Sequence, residues 1–247
     1  MHTKQNHTAT STNISGWRFR LLELSMLCQL ARTAFRSYPN RRDAWQAIRR
    51  HIGVHLAFRR ACQLTKAVRI GARIFVQPAF PQLGSPATQV LLANELQHNV
   101  PISGRRPGLN KLLLAITKKC SLQCAHCFEW DALNGRETLS AEDILGIIRK
   151  FQAGGLATVE LSGGEPLNRY EDLLRIVRES DTEQTDFWLI SSGYRLTPPR
   201  VQALAKAGLA GVAISLDHWD AAAHDQFRGM TGSFEWARQA AQNAREA

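Results

Sequence analysis

After Asn110 the chain settles into a repeating order of apolar segment, loop and amphipathic segment, and this alternation limits the fold more than any other feature. Leu112-Leu-Leu-Ala-Ile-Thr117 is a continuous apolar run of the kind expected for a strand buried on both faces. Ser140-Ala-Glu-Asp143 is a capping-box variant with Asp at its last position. It opens a helix in which Ile144, Ile147, Ile148 and Phe151 share one face, until Gly154-Gly155 ends it. Ala157–Leu161, Phe187–Ser191 and Val212–Leu216 are expected as three further strands. Between them, Arg169–Arg178 reads as a helix burying Leu173, Leu174 and Val177, and Thr197-Pro198 starts another that Gly208 stops. Ser233 is expected to cap a last helix running towards Ala247. Four strand–helix units in succession imply an α/β fold with a parallel sheet and right-handed crossovers. Open α/β sheets and β/α barrels both place functional loops at the C-terminal ends of their strands, so the four loops here are expected to converge.

The first of those loops carries Cys120-Ser-Leu-Gln-Cys124-Ala-His-Cys127, three of the five cysteines. Thiolates this close on a loop can turn towards one centre, and soft thiolate ligands select zinc, copper(I) or an iron–sulfur cluster. Three ligands with one position left open suit chemistry at the metal better than scaffolding. Structural zinc with His126 as fourth ligand is the competing reading. His126 sits between Cys124 and Cys127, where pointing inward together with both is awkward, and zinc leaves the Gly163-Gly164 pair of the next loop unexplained. Cys28 and Cys62 lie in segments of helical periodicity and are expected as buried thiols. This thiol usage fits a reducing, cytoplasmic compartment.

Charge is spread unevenly. Residues 1–110 hold 16 Lys and Arg against 3 Asp and Glu, a net +13, whereas residues 111–247 hold 15 against 18, a net −3. The first 16 residues are polar, lack the apolar core of a signal peptide, and are expected to be disordered. Residues 17–110 are expected to form a mainly helical basic region and a linker. Trp17, Leu21, Leu24, Leu27/Cys28 and Ala31 recur at helical spacing up to about Ser37, and Tyr38-Pro39-Asn40 breaks the pattern. A second helix is expected from Asp43 to about Lys66, studded with Arg41, Arg42, Arg49, Arg50, Arg59 and Arg60. Those arginines form either a solvated face or a surface for phosphate or lipid. The basic region as a whole could meet nucleic acid, an anionic membrane or an acidic partner. His51 and His55 are four apart but lack the Glu of the metalloprotease pattern, and read as ordinary helix histidines. Val68–Val76 is expected as a strand or hairpin, Ala87–Gln97 as a helix and Ile102–Leu109 as the linker. No run of 18 apolar residues occurs, so no transmembrane helix is expected.

Cys120-x3-Cys124-x2-Cys127 after a first strand resembles the signature of the radical S-adenosylmethionine family, and the resemblance spans roughly residues 111–247. It implies a partial (β/α) barrel in which Cys120, Cys124 and Cys127 hold three irons of a [4Fe-4S] cluster. S-adenosylmethionine would chelate the fourth iron through its amino and carboxylate groups. Ser162-Gly163-Gly164-Glu165-Pro166 looks like the family's glycine-rich motif, which implies that Gly163, Gly164 and Glu165 serve the methionine ammonium, with Glu165 adding charge or bracing the loop. Ser191 and Ser192 end the third strand, where their hydroxyls could bond the ribose or the methionine carboxylate. Ser215-Leu-Asp217 and Arg228-Gly229 are similar to the family's Ser-Leu-Asp and Arg-Gly segments, implying cofactor contacts from Ser215, Asp217 and Arg228. A structural ion pair between Asp217 and Arg228 is the alternative. His126 takes the place of an aromatic that lies near the adenine. Phe128, Trp130 and Phe187 read as packing residues, and His218 and His224 as surface residues.

The resemblance implies reductive cleavage of S-adenosylmethionine to methionine and a 5′-deoxyadenosyl radical, which abstracts hydrogen from a peptide, small-molecule or nucleic-acid substrate. The electron would come from a flavodoxin- or ferredoxin-like donor. No cysteine follows Cys127, so residues 128–247 hold no ligand set for an auxiliary cluster. The family barrel usually has six strand–helix units, and four are recognised here, so a truncated core is expected. The alternative function is a catalytically incompetent fragment or a non-catalytic iron–sulfur-binding protein.

Overall fold

The computed structural model describes residues 11–61, 65–76, 80–129 and 131–247, with backbone alone over 55–61. Strand β1 (Ser11–Ser15) pairs antiparallel with β2 (Lys66–Ile70), which turns through Gly71 into β3 (Arg73–Phe75). Gly71 holds a φ of 57°, a left-handed conformation that suits a two-residue hairpin and that a side chain resists. The expected disorder of the first 16 residues therefore does not reach Ser11–Ser15. Ile14 is buried with Phe19 and Ala67, and that single apolar anchor makes a strand of a polar segment. Residues 1–10 lie outside the described residues.

Three helices, α1 (Gly16–Ser37), α2 (Arg41–Ala61) and α3 (Pro86–Asn99), pack through Leu30, Ala34, Ala44, Ile48 and Leu96. Tyr38, in the break after α1, places its hydroxyl 2.7 and 2.6 Å from the carbonyl oxygens of Leu96 and Val100, where a helix end leaves acceptors unpaired. Burial, with the charge of Asp43 in support, pushes this phenol up to about 12. Helix α2 begins at Arg41 rather than Asp43, and the Asn40 side chain accepts from the Asp43 amide at 2.8 Å. Its described part runs to Ala61, and Lys66, expected at its end, is taken into β2. Cys28 is exposed, not buried as expected, since it lies opposite the buried face that carries Phe19, Leu30 and Ala34. Cys62 and the side chains of His55, Arg59 and Arg60 fall outside the described residues. His51 is buried 3.5 Å from Glu95 and so ties α2 to α3.

The Ile102–Leu109 connection is mostly exposed but is pinned at Gly108. Asn94 accepts from the Gly108 amide at 3.1 Å and donates to the Gly155 carbonyl at 2.8 Å, and a side chain on Gly108 would overlap the Gly155 oxygen. Strands β4 (Lys111–Ala115), β5 (Thr158–Ser162), β6 (Asp186–Ser191) and β7 (Leu209–Ile214) then form a parallel sheet in chain order. Helix α4 (Ala141–Ala153), a 3-10 turn at Pro166–Arg169 leading into α5 (Tyr170–Glu179), and α6 (Pro198–Ala207) supply the crossovers; α7 (Ala221–Arg228) and α8 (Ser233–Glu246) follow β7. Adding each strand on the same side, without reversal, is the progression of a barrel wall. Ile144, Ile148, Leu161, Leu173, Phe187 and Leu189 are fully buried between sheet and helices, each worth about 1.5–3 kcal/mol of transfer from water.

Three expectations need correction. The run Leu112–Thr117 is not buried on both faces: among the described residues β4 pairs with β5 alone, Leu112 and Leu114 pack on the core, and Leu113 is 56% exposed. Leu113, Glu160 and Trp188 share the other face of the sheet, which carries the Lys111–Glu160 ion pair at 2.6 Å and meets Phe75 edge-on to Trp188 at 6.0 Å. The fourth strand is Leu209–Ile214 rather than Val212–Leu216, and α7, whose Ala221-Ala-Ala start has no apolar periodicity, goes unforeseen. Ser233 does not cap α8. Gly232, at φ 85°, occupies that position, and the Ser233 hydroxyl donates instead to Asp225, which also accepts from the Gly232 and Phe234 amides.

Candidate functional site

Paired ends bring the four loops to one edge of the sheet: Ala115 stands opposite Ser162, and Ser191 opposite Ile214. The loop after β4 and the loop after β5 then run together. The Gly164 amide donates to the Thr117 carbonyl at 2.8 Å and the Glu165 amide to the Lys119 carbonyl at 2.7 Å. Both glycines are required by this approach. Gly163 has a φ of 140° and a side chain there would overlap Thr117; one on Gly164 would lie 2.5 Å from the Lys119 oxygen and 3.1 Å from Cys120 Cβ. The glycine pair thus fits the cysteine loop directly against the next strand's loop.

Two residues that sequence patterns do not single out hold the cysteine loop from its far side. Asn134, at φ 60°, accepts from the Cys120 amide at 3.1 Å and donates to the Cys120 carbonyl at 3.0 Å. Glu137 accepts from the Thr117 hydroxyl at 2.5 Å and from the Lys118 amide at 3.2 Å. The αL tendency of Asn is a local signal; the 14-residue reach to Cys120 is not. Arg169 adds bonds of 2.8 and 2.9 Å to the Ile116 and Leu139 carbonyls.

Helix α7 braces the loop's other end. The Gln123 amide donates to the Arg228 carbonyl at 3.0 Å and the Ala125 amide to the Phe227 carbonyl at 2.9 Å. His126 stacks on Phe227 with centroids 4.8 Å apart and an interplanar angle of 15°. Gly229, at φ 64°, lets the helix end so close that a side chain would lie 2.6 Å from the Gln123 oxygen. Arg228 is buried; its Nη1 donates to Cys124 Sγ at 3.5 Å, and its Nε lies 2.5 Å from Asp217 Oδ2, out of line for a hydrogen bond. The expected alternative of an Asp217–Arg228 ion pair is therefore present, and the same guanidinium also reaches a cysteine sulfur.

Glu165 is 1% exposed and fully committed inside the protein. It accepts from the Ser191 hydroxyl at 2.8 Å, the Ser192 amide at 2.8 Å, the Ser192 hydroxyl at 2.5 Å and the Leu167 amide at 3.1 Å. Burial raises its carboxyl above the usual range, against the lowering effect of those four donors. Glu165, Ser191 and Ser192, each a candidate cofactor contact, thus form one staple between the ends of β5 and β6. Ser215 lies at the end of β7, its amide bonded to the Ser191 carbonyl at 2.9 Å.

The Cys120, Cys124 and Cys127 side chains are partly exposed on this edge. Burial pushes the Cys120 thiol up; Glu165, Cys124 and Cys127 act in the same direction, while the Leu122 amide opposes them. Among the described residues no three His, Cys, Asp or Glu side chains are grouped so as to hold a single metal ion. His224 is not a surface residue as expected. It is 1% exposed, accepts from the Asp217 amide through Nδ1 at 3.3 Å, and is held below the usual imidazole range first by burial and then by Arg228. His218 is exposed, as expected. Phe128, expected as packing, is 78% exposed, while Phe187 is fully buried. Trp130 lies outside the described residues.

The model of the radical SAM superfamily matches residues 114–247, over half of the chain. The chain belongs to the radical SAM superfamily. The match begins inside β4 and takes in all four loops. Members of this superfamily bind a [4Fe-4S] cluster and S-adenosylmethionine. Curated relatives are enzymes: a GTP 3′,8-cyclase of Marinobacter nauticus is 38% identical over 50% of this chain and 37% of its own length. An AdoMet-dependent heme synthase of Methanosarcina barkeri is 34% identical over 49% and 34%. A PqqA peptide cyclase of Rhizobium meliloti is 32% identical over 53% and 36%. This radical SAM chain thus spans little more than a third of the length of these relatives. The crystal structure of Streptococcus suis SuiB bound to S-adenosylmethionine superposes on 62% of this chain and 36% of its own with a TM-score of 0.47 at 20% identity.

Proposed function

We propose that Cys120, Cys124 and Cys127 of this radical SAM chain hold three irons of a [4Fe-4S] cluster, leaving the fourth iron for S-adenosylmethionine. The observation that supports this best is the close approach of two loops: Gly163 and Gly164 lie against Thr117, Lys119 and Cys120 at the start of the loop that carries the three thiols, with no room for a side chain. Three soft donors on one closely held loop suit a cluster with an open position. When bound, the cluster and S-adenosylmethionine would supply one-electron reductive cleavage of the sulfonium and, through it, hydrogen abstraction from a substrate. The protein's own part is to orient and to shield. Asn134 and Glu137 set the start of the cysteine loop, and Phe227 and Arg228 set its middle. Glu165 fixes Ser191 and Ser192 at the next strand end, and Ser215 and the Asp217–Arg228 pair face the same edge. A flavodoxin- or ferredoxin-like donor supplies the electron, in a reducing, cytoplasmic compartment. The domain reading that goes with it is a radical SAM core at 111–247 behind a basic region at 17–110.

Anaerobic reconstitution should give broad absorbance near ~400 nm and about four irons per chain, as for one thiolate-bound cubane. Dithionite with S-adenosylmethionine should then release 5′-deoxyadenosine, and Cys124→Ala should abolish both signals. Stoichiometric zinc without iron would overturn the proposal at the metal. A stable cluster without 5′-deoxyadenosine would favour a non-catalytic iron–sulfur protein.

A further inference from the structure

Helix α1 is apolar on two sides. One side, with Phe19, Leu30 and Ala34, is buried in the N-terminal core. On the other, Trp17, Leu21, Leu24 and Phe35 recur at spacings that keep them in one strip along the helix. They are 68%, 56%, 58% and 38% exposed, and exposed Cys28 falls in the same strip. At 1.5 Å per residue the row is about 27 Å long. Trp45 of α2, 56% exposed, meets Phe35 edge-on at 5.5 Å and widens one end. Single exposed apolar residues need no explanation, but a continuous row of this length marks an interaction surface.

Charge indicates what covers it. Arg18, Arg32 and Arg36 run along one flank of the row and Arg20 along the other; all are exposed, and Glu23 is the only acid in the helix. Arg18 lies over the Trp17 ring at 5.5 Å. A second copy would set the arginines flanking one row against those flanking the other, which opposes self-association. Nucleic acid would meet the arginines but leave the Trp–Leu–Phe row without a partner. A protein would need a groove to receive a convex ridge, whereas a fluid lipid surface accepts one as it stands. We infer that α1 lies on an anionic lipid surface, with the apolar row at the acyl boundary and the flanking arginines at headgroup phosphates. Among the described residues no helix is long and apolar enough to cross a membrane, so this contact is peripheral. It is independent of the cysteine site.

The test is co-sedimentation of the 247-residue chain with phosphatidylcholine vesicles, with and without about one-third phosphatidylserine. Binding is expected to the anionic vesicles and to be weak to the neutral ones. Leu21→Ser/Leu24→Ser should weaken it more than about tenfold. Arg18→Gln and Arg36→Gln should each weaken it about fivefold. Circular dichroism should not change, since all four side chains lie outside the core. Brominated acyl chains should quench wild-type fluorescence more than that of Trp17→Phe. The same result is expected with and without the cluster. Three outcomes would overturn the inference: no binding to anionic vesicles, binding that survives Leu21→Ser/Leu24→Ser, or a dimer in sedimentation that the same double variant dissolves. Binding of an acidic polypeptide or an RNA oligonucleotide in place of vesicles would reassign the surface.

Discussion

Replacing Gly164 with alanine puts a methyl group 2.5 Å from the Lys119 oxygen, 2.8 Å from the Lys119 carbonyl carbon and 3.1 Å from Cys120 Cβ. Carbon contacts are comfortable from about 3.5 Å, and two of these three atoms are backbone that no rotamer change can move aside. Gly164 does not hold a left-handed backbone, so the effect is steric and not torsional. The two loops must part by about 1 Å. That costs about 1–3 kcal/mol of overpacking. It also breaks the Gly164–Thr117 and Glu165–Lys119 backbone bonds, at about 1 kcal/mol each. The closed arrangement should lose roughly 3–5 kcal/mol, a factor of more than about a hundred in its local opening equilibrium. Native-state hydrogen exchange should show the Glu165 amide exchanging at least about a hundredfold faster, and iron retention after reconstitution should fall. Gly146→Ala is the matched control. It sits inside α4 with open space around it, and should add about 1 kcal/mol of helix stability without touching the Glu165 amide. Unchanged exchange and iron loading in Gly164→Ala would refute the close-approach argument.

Asn134→Ala loses both bonds to the Cys120 backbone and leaves an L side chain at φ 60°, which should cost about 2–3 kcal/mol. A thermal melt should fall by about 4–10 °C, and Asn134→Gly should recover only the backbone part. Burial raises the Glu165 carboxyl above its ordinary 4.5, so the folded chain holds that proton more tightly than the unfolded one. Stability should therefore decline as pH rises from about 4.5 through the raised folded value, and Glu165→Gln should flatten this slope in denaturant midpoints. Parallel profiles for the two proteins would show that Glu165 does not titrate with folding. Arg228→Gln removes a cation from Cys124 Sγ, so the reduction potential of a reconstituted cluster should become more negative in an EPR-monitored titration, with His126 still stacked on Phe227. No change in potential would mean that the guanidinium serves Asp217 alone.

Features whose partners are close in sequence are legible in the sequence itself. Ser140 and Asp143 cap each other three residues apart, and the capping box forms as expected. Gly208 stops α6 at φ 106° because the stop is a backbone property of one residue. The cysteine spacing belongs to the same class. Features that depend on distant backbone are not legible there. Asn134 and Glu137 lie in an unremarkable loop until folding brings them to Cys120 and Thr117. Phenylalanine is usually buried and histidine intermediate, so composition points the wrong way for both: Phe128 is 78% exposed and His224 is buried, places that only tertiary contacts decide.

The sequence alone determined the order of strands and helices from β4 to β7, the edge at which functional loops gather and the three thiols on the first of them. These follow from apolar periodicity, end signals and short spacing, which act over a few residues. Tertiary structure decided how the loops fit. It set Gly163 and Gly164 against the cysteine loop, turned Glu165 inward onto Ser191 and Ser192, and brought Arg228 from 104 residues away to Cys124. Among the described residues it also left one apolar face of α1 exposed, because a helix with two apolar sides packs only the side its neighbours can reach.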